Sequence, residues 1–300
     1  MNKKIVEALK NPYYACELLL NQFAKCVSDE KFVRWKYYLN FRKKLDLDNP
    51  QTFNEKLQWL KLYDRHEEYT QMVDKYEAKK YVANLIGEEY IIPTLGVYDT
   101  FDEINFEELP NQFVLKCTHN SGGIVICKDK SALDIPRAKK QMTKWLKKNP
   151  FWTNREYPYK HVKPRIIAEK YMEQEDGETL RDYKVLCFNG KAKLIELHRF
   201  RYTNQQTQDF YDVNWNKTSI SQGGGFIKKS DNVFPKPKCY DEMLRLSEFI
   251  TKDMIHCRVD WYDIKGSLYF GEITFYDGSG LDAFDDEKDD LLLGSWMNIS

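Results

Sequence analysis

The 300-residue sequence lacks several features that would exclude or assign a protein class directly. Its seven cysteines contain no CxxC pair and are odd in number, which argues against a disulfide framework and a zinc site and favours a reducing compartment. Lys plus Arg and Asp plus Glu number 46 each, so no excess of positive charge indicates a nucleic-acid partner. No apolar run approaches the ~20 residues that cross a bilayer, and no signal peptide is visible. We therefore expect a cytoplasmic protein that binds no nucleic acid.

A Walker phosphate-binding motif and internal repeats are also missing. The patterns that are present mix helical and strand periods, which predicts an α+β fold with more than one lobe. We divide the chain into a helical N-terminal extension over 1–48, an N-terminal subdomain over 49–110, a third unit over 111–172 and a C-terminal subdomain over 173–300. The polar stretch 202–238 shows little periodicity and is predicted to be a long loop with at most one short strand pair.

The N-terminal extension interleaves aromatic and basic residues in FVRWKYYLNFRKK, and its segment 13–27 is apolar. Such a helix usually packs on a partner or a core, and contact with a membrane surface stays open. Thr52 and Glu55 form the sequence pattern of a capping box that begins a helix. A second helix is predicted over 67–86, with Lys75 and Lys79 on one face.

The segment RVDWYDIKGSLYFGEITFYDGSG predicts a β-hairpin that carries two acids. Lys265 and Gly266 have the chemistry of a tight turn, so Glu272 on the returning strand should lie level with Asp260. Two carboxylates together with substrate phosphates are a common way to bind Mg²⁺. The alternative is an ordinary hairpin with two solvated acids.

Three other segments carry residues suited to a bound nucleotide. FVLKCTHNSGGIVIC places Lys116 near the end of a strand, before the small-residue loop of Ser121, Gly122 and Gly123. Glycine lets backbone amides approach phosphate oxygens, although a plain hairpin turn would have the same composition. RIIAEKYM interrupts an apolar strand with two charges, and DYKVLCF carries Lys184. Arg258 precedes Asp260 by two residues and should share its strand face.

In order and approximate spacing, these segments resemble the ATP-grasp superfamily. More narrowly, TFNEKLQWLKLYDR, EEYIIPTLGVYDTFDEI, PNQFVLKCTHNSGG and VKPRIIAEKYM are similar to the TupA-like ATP-grasp family, which is associated with teichuronopeptide, capsule and other cell-surface polysaccharide gene clusters. The resemblance runs over about 49–280. It implies an ATP-grasp fold in which two α+β lobes grip ATP, with 111–172 as the lid subdomain.

The resemblance also implies roles for individual residues. Lys75 and Lys116 would bind phosphate, with the loop of Ser121, Gly122 and Gly123 closing over the triphosphate. Adenine and ribose would be bound by a hinge formed by Glu169, Lys170, Tyr171, Met172, Glu173 and Asp176. Asp260 and Glu272 would bind Mg²⁺, although Thr274 stands where the superfamily pattern has Asn, so the number of metal ions is open. Lys184 would help to neutralise the phosphates, and Arg258 would hold the reacting carboxyl group.

The implied reaction is ATP-dependent ligation of a carboxylate and an amine through an acyl phosphate. The carboxylate would be a small-molecule or glycan-linked sugar acid such as a uronic acid, and the amine an amino acid or amino alcohol. His198, Arg199 and Arg201 are candidates for recognising an anionic substrate, or form an exposed strand end. Three rival interpretations are a kinase that phosphorylates a sugar, a glycosyltransferase of the same pathway and a non-catalytic nucleotide-binding protein.

Overall fold

The computed structural model describes residues 11–174, 179–201, 203–223 and 227–299. The helices in these ranges are α1 (Pro12–Gln22), α2 (Asp29–Phe41), α3 (Phe53–Tyr63), α4 (Tyr69–Val73), α5 (Glu77–Ile86), α6 (Ile135–Leu146), α7 (Phe151–Asn154), α8 (Tyr240–Ile250) and α9 (Glu287–Ser295). The strands are β1 (Thr94–Tyr98), β2 (Phe113–Cys117), β3 (Ile124–Cys127), β4 (Ile166–Lys170), β5 (Asp182–Phe188), β6 (Lys191–Arg199), β7 (Thr207–Asp212), β8 (His256–Ile264) and β9 (Ser267–Thr274).

The strands form two antiparallel sheets, one in each of two lobes. The smaller sheet has the order β1-β4-β2-β3, and the larger has the order β7-β6-β5-β8-β9. Helix α6 covers the smaller sheet, and its Ala138 and Met142 share a core with Phe113 and Leu115 of β2. The predicted boundary between 110 and 111 runs through this sheet, because β1 precedes it and pairs with β4.

The larger sheet holds the main hydrophobic core on one face and the charged residues on the other. Along β8, Val259 and Trp261 are buried in the core, and Trp261 Nε1 donates to Ser247 Oγ of α8 at 2.8 Å. Arg258 and Asp260 alternate with them and therefore face the opposite side of the sheet. Helices α3, α4 and α5 contribute to the same core, so the segment that holds them packs with the C-terminal half of the chain.

Local signals in the sequence explain where several elements begin and end. Thr52 Oγ1 accepts from the Glu55 backbone N–H at 3.2 Å, and the Glu55 carboxylate accepts from the Thr52 N–H at 3.1 Å. This capping box at the start of α3 was predicted and is confirmed; such caps are worth about 1 kcal/mol.

The continuous helix predicted over 67–86 is wrong. Asp74 adopts an extended conformation, and its Oδ1 accepts from the backbone N–H groups of Tyr76 and Glu77, which ends α4 and begins α5. Lys75 therefore lies in the connection between two helices and shares no helical face with Lys79. The stretch 202–238 also contains more regular structure than expected, since β7 extends the larger sheet by pairing with β6.

The N-terminal extension forms two packed helices that are fixed to the rest of the protein. Arg155 is fully buried, and its Nε lies 2.8 Å from Asp29 Oδ1 at the start of α2. Its Nη2 donates to the carbonyl oxygens of Ala24 and Val27 between α1 and α2, and its guanidinium lies 4.1 Å from the centre of the Phe32 ring. One buried side chain thus holds the turn between the two helices in place.

Candidate active site

The β8–β9 hairpin brings the two predicted acids together. Asp260 pairs with Glu272 across the two strands, which confirms the register expected from the sequence. Lys265 and Gly266 form the turn with φ angles of 59° and 77°, a backbone conformation that a two-residue hairpin turn requires. A β-bulge follows at Gly271, where a Cβ atom would lie 3.0 Å from the Asp260 carbonyl oxygen. A side chain at this position would crowd the backbone behind Asp260.

Arg258 lies at the centre of the acidic group. Its Nε and Nη2 donate to the two oxygens of Asp260 at 2.7 and 3.0 Å, and its Nη1 donates to Asp277. The same guanidinium reaches Glu272 at 3.4 Å and Thr274 Oγ1 at 3.3 Å. Burial alone would lower the pKa of Arg258, but the surrounding carboxylates outweigh burial and raise it above its usual value. Arg258 thus carries a permanent positive charge beside the candidate metal ligands.

Two lysines complete the charge balance around these acids. Lys184 on β5 pairs with Asp260 in the sheet, and its Nζ lies 2.9 Å from Asp260 Oδ2. Lys75 Nζ lies 2.8 Å from Glu272 Oε2. Burial would raise the pKa of Glu272, but Lys75, Lys184 and Arg258 outweigh it and lower the pKa below its usual range. Glu272 is therefore ionised at neutral pH, as a metal ligand must be.

The donor set suits Mg²⁺ better than a transition metal. Asp260 and Glu272 supply carboxylate oxygens from opposite strands, and Mg²⁺ is usually bound by one or two carboxylates plus substrate phosphates and water. Among the described residues, no group of three His, Cys, Asp or Glu side chains forms a metal site made of protein alone. Thr274 Oγ1 accepts a hydrogen bond from Arg258 Nη2 at 3.3 Å.

A second charged cluster lies on the smaller sheet. Glu169 of β4 is buried between two lysines: Lys116 Nζ lies 2.6 Å from its Oε2, and Lys79 Nζ contacts its Oε1. Burial would raise the pKa of Glu169, but Lys116 and Lys79 outweigh it and hold the pKa at about 2. Lys79 Nζ also donates to the Ile92 carbonyl oxygen at 2.7 Å. The ionised Glu169 thereby fixes the position of the Lys116 side chain.

These two clusters face one cavity of about 390 Å³ between the lobes. The smaller sheet contributes Val114, Lys116, Ile124 and Ile126, and the larger sheet contributes Asp182, Asp260, Tyr262 and Glu272. The end of β4 and the segment after it line the cavity with Glu169, Lys170, Tyr171, Met172 and Glu173. Val114, Ile124 and Ile126 of the β2–β3 hairpin give the cavity an apolar wall, and the side near the β8–β9 hairpin is charged, which suits a ligand with a flat base and a polyphosphate.

The predicted small-residue loop is divided by the fold. Ser121 lines the cavity. Gly122 and Gly123 instead pack against Trp145 of α6, where added Cβ atoms would lie 2.2 and 3.0 Å from the Trp145 side chain. Asp176 lies outside the described residues.

The predicted basic cluster at the end of β6 is divided by the fold. Arg201 lines the cavity and pairs with Asp182 of β5. His198 is buried and pairs with Glu196, and Arg199 lies over the Phe234 ring at 3.9 Å. The alternative of an exposed strand end is therefore wrong for His198. An ordinary alternation argument would have separated His198 from Arg199, since neighbouring strand residues point to opposite faces.

Several residues of the site were not identified from the sequence. They are Lys79, which pairs with Glu169; Asp182, which pairs with Arg201; and Asp277, which contacts Arg258. Asp277 follows the β9 strand within TFYDGSG and could have been found from its closeness to Glu272 in the sequence. Asp182 precedes Lys184 by two residues and could have been placed on the same strand face. Lys79 offered no such signal, because Glu169 is distant in the chain.

A cavity between two α+β lobes, with a lysine strand on one side and paired acids on the other, defines an ATP-grasp protein. Residues 55–298 match the family model described as TupA-like ATPgrasp. The chain therefore belongs to the TupA-like ATP-grasp family, as the sequence phrases predicted.

Solved structures show more distant similarity. D-alanine–D-alanine ligase from Bacillus anthracis in complex with ATP is 17% identical, with a TM-score of 0.38 over 68% of this chain and 53% of that chain. The Helicobacter pylori D-alanine–D-alanine ligase is 17% identical, with a TM-score of 0.42 over 82% of this chain and 69% of that chain. N5-carboxyaminoimidazole synthetase from Staphylococcus aureus is 13% identical, with a TM-score of 0.39 over 68% of this chain and 44% of that chain. The chain thus spans about half the length of the first of these ligases, and no curated protein matches it.

Proposed function

We propose that this protein is an ADP-forming ligase that joins a carboxylate to an amine through an acyl phosphate. The observation that carries the proposal is the meeting of Asp260, Glu272 and Lys116 around one cavity, with Arg258 in contact with the two acids. Acyl phosphate formation brings two anions together, so it needs concentrated positive charge and an anchored metal ion more than it needs a protein nucleophile.

The nucleotide is expected to lie along the segment that connects the lobes. Tyr171 and Met172 line the cavity together with Val114 and Ile126, so the base would stack against apolar and aromatic side chains. Glu173 is exposed at the edge of this segment and is the candidate for the ribose hydroxyls. Lys116, held by Glu169, and Lys75 point from two lobes toward the region that the phosphates would fill.

Asp260 and Glu272 would hold Mg²⁺, which when bound neutralises phosphate charge and orients the terminal phosphate. Lys75 and Lys184 contact the same carboxylates, so they lie within reach of anions bound there. Arg258 supplies a permanent charge from beneath the two acids and is the candidate for stabilising the oxyanion that forms when the amine attacks the acyl phosphate.

We further propose a sugar acid, such as a uronic acid, as the carboxylate and an amino acid or amino alcohol as the amine. The support is the association of the TupA-like family with cell-surface polysaccharide gene clusters, together with a cation at the cavity wall. Arg201 lines the cavity beside Thr203, which gives an anionic sugar a candidate binding group. Its pairing with Asp182 would orient the guanidinium.

An ADP-release screen tests the proposed reaction. Uronic acids and their nucleotide conjugates are crossed with a panel of amines, and the products are identified by mass spectrometry. A ligase gives carboxylate-dependent ADP release and an amide whose mass lacks one water relative to its two substrates. A phosphorylated sugar without an amide would instead establish the kinase alternative, and ATP binding with no turnover on any pair would support a non-catalytic role.

A further inference from the structure

Helices α1 and α2 carry an apolar and aromatic surface, here called the outer face, formed by Cys16, Leu19, Phe23, Trp35 and Tyr38. These residues line a groove of about 410 Å³. Leu19, Phe23, Trp35 and Tyr38 are each between 48% and 56% exposed. Large side chains exposed in one contiguous patch are typical of an interaction surface.

The exposure of the outer face does not come from loose packing of the two helices. Leu20 at the floor of the groove is buried with Ala24 and Phe32 in a common cluster, and Val33 and Tyr37 are buried in the next one. Arg155 anchors the turn between the helices to the body of the protein. The hairpin thus has a filled inner side and a second, separate apolar side directed to solvent.

The outer face also stands apart from the proposed catalytic function. It precedes the region that matches the TupA-like family model, residues 55–298. None of its residues lines the cavity between the lobes. The ligase chemistry therefore gives no reason for these side chains.

Two cations on α2 and its C-cap border the outer face. One stripe of α2 and its C-cap carries two aromatic residues between two cations. In chain order these are Lys31, Trp35, Tyr38 and Arg42, which follow one another at the helical spacings of four, three and four residues. Arg42 stacks over the Tyr13 ring of α1 at 3.5 Å. Residues 1–48 contain ten Lys and Arg against six Asp and Glu, whereas the rest of the chain contains 36 against 40. The cationic excess of this protein is thus confined to the extension.

We propose that the outer face binds the surface of an anionic lipid bilayer. Trp and Tyr prefer the membrane interface, and Lys and Arg beside them can contact anionic headgroups while their stems remain apolar. Helices α1 and α2 contain 11 and 13 residues, and among the described residues none is long and apolar enough to cross a membrane. The hairpin would therefore lie along the interface. A second copy of the chain would bring like charges together around the same patch.

Vesicle co-sedimentation of the full-length protein tests this inference. The protein is incubated with vesicles of phosphatidylcholine alone and with vesicles in which about 30% of the lipid is phosphatidylglycerol, whose negative surface attracts basic segments. We expect binding to the anionic vesicles that weakens with added salt, because the surface potential is screened. Equal binding to both vesicle types, or none to either, would overturn the proposal.

Two pairs of variants separate the apolar and electrostatic contributions. Phe23→Ser with Trp35→Ser should weaken vesicle binding roughly 25-fold, since burying the exposed half of each ring is worth about fivefold. Phe249→Ser, at a similarly exposed phenylalanine of α8, is the matched control and should leave binding unchanged. Lys31→Glu should weaken binding at least about fivefold, and Lys252→Glu, at an exposed lysine distant in sequence, should not.

The variants must retain the fold, which their melting temperatures and unchanged ADP release would show. Trp35 provides a direct readout as well. Its fluorescence should be quenched by brominated lipid, and Trp35→Phe should remove that quenching. If the protein alone is a dimer in solution and Phe23→Ser makes it monomeric, the outer face is an interface between copies and the membrane proposal is refuted.

Discussion

The buried cluster of Lys79, Glu169 and Lys116 gives the sharpest test of the site's electrostatics. Replacing Glu169 by Gln keeps the shape of the side chain and removes its charge, leaving Lys79 buried without a counter-ion. The pKa of Glu169 lies at about 2 instead of 4.5. Because each pKa unit corresponds to about 1.4 kcal/mol, ionised Glu169 stabilises the folded state by about 3 kcal/mol at neutral pH.

We therefore expect Glu169→Gln to lower the free energy of unfolding by about 3 kcal/mol at pH 7, and the melting temperature by roughly 5 °C. Urea denaturation and thermal melting measure the two quantities. Asp99→Asn is the matched control: Asp99 pairs with Lys163 at 2.8 Å, but both side chains are more than half exposed. Such a surface pair contributes at most about 1 kcal/mol.

The lowered pKa of Glu169 determines how the stabilisation depends on pH. The folded-state pKa of Glu169 lies below its unfolded value, so its stabilisation is complete above about pH 4.5 and is lost as pH falls toward 2. The stability difference between the wild type and Glu169→Gln should therefore fall to about half or less by pH 3. A difference below about 1 kcal/mol at pH 7, or one that does not change with pH, would refute the reasoning.

Three further predictions concern the other parts of the site and the fold. Arg258→Lys should reduce the rate of ADP release by on the order of 100-fold or more and change the affinity for ATP only a few-fold. The reason is that lysine keeps the buried positive charge but lacks the several N–H donors of the guanidinium. Unchanged turnover would contradict the role of Arg258. Asp260→Asn should raise the Mg²⁺ concentration needed for half-maximal ADP release and lower the maximal rate, and an unaltered Mg²⁺ titration would exclude Asp260 as a ligand. Gly294→Ala should lower the free energy of unfolding by about 1–3 kcal/mol, because a Cβ atom there would lie 2.1 Å from the Gln51 carbonyl oxygen; a neutral effect in urea denaturation would show that α9 can shift away.

The hairpin shows how far local sequence reasoning extends into the site. A period of two along β8 and β9 and a turn at Lys265 and Gly266 would by themselves pair Asp260 with Gly271, and the β-bulge at Gly271 shifts the register by one residue so that Asp260 lies opposite Glu272. The same reasoning placed Arg258 on the face that holds Asp260, and Arg258 contacts it. These residues could be predicted because strand pairing and turn chemistry are local.

The helix that was predicted through Lys75 marks the limit of that reasoning. Its apolar spacing continued across Asp74, but Asp74 Oδ1 caps α5 and its Oδ2 accepts from Arg165, whose position near it depends on the fold. A periodic pattern predicts which residues could share a helix face. It contains no information about a contact with a side chain from a distant part of the sequence. Lys75 therefore reaches Glu272, whereas Lys79 reaches Glu169.

The sequence by itself determined the family, the capping box at Thr52 and the turn of the β8–β9 hairpin, because each depends on short stretches of neighbouring residues. The tertiary structure alone decided that Glu169 is buried between Lys79 and Lys116, and that Asp277 contacts Arg258. It also decided which side of α1 and α2 remains exposed. Burial and ion pairing of this kind depend on contacts between distant segments, and their energies follow from desolvation that only the folded chain creates.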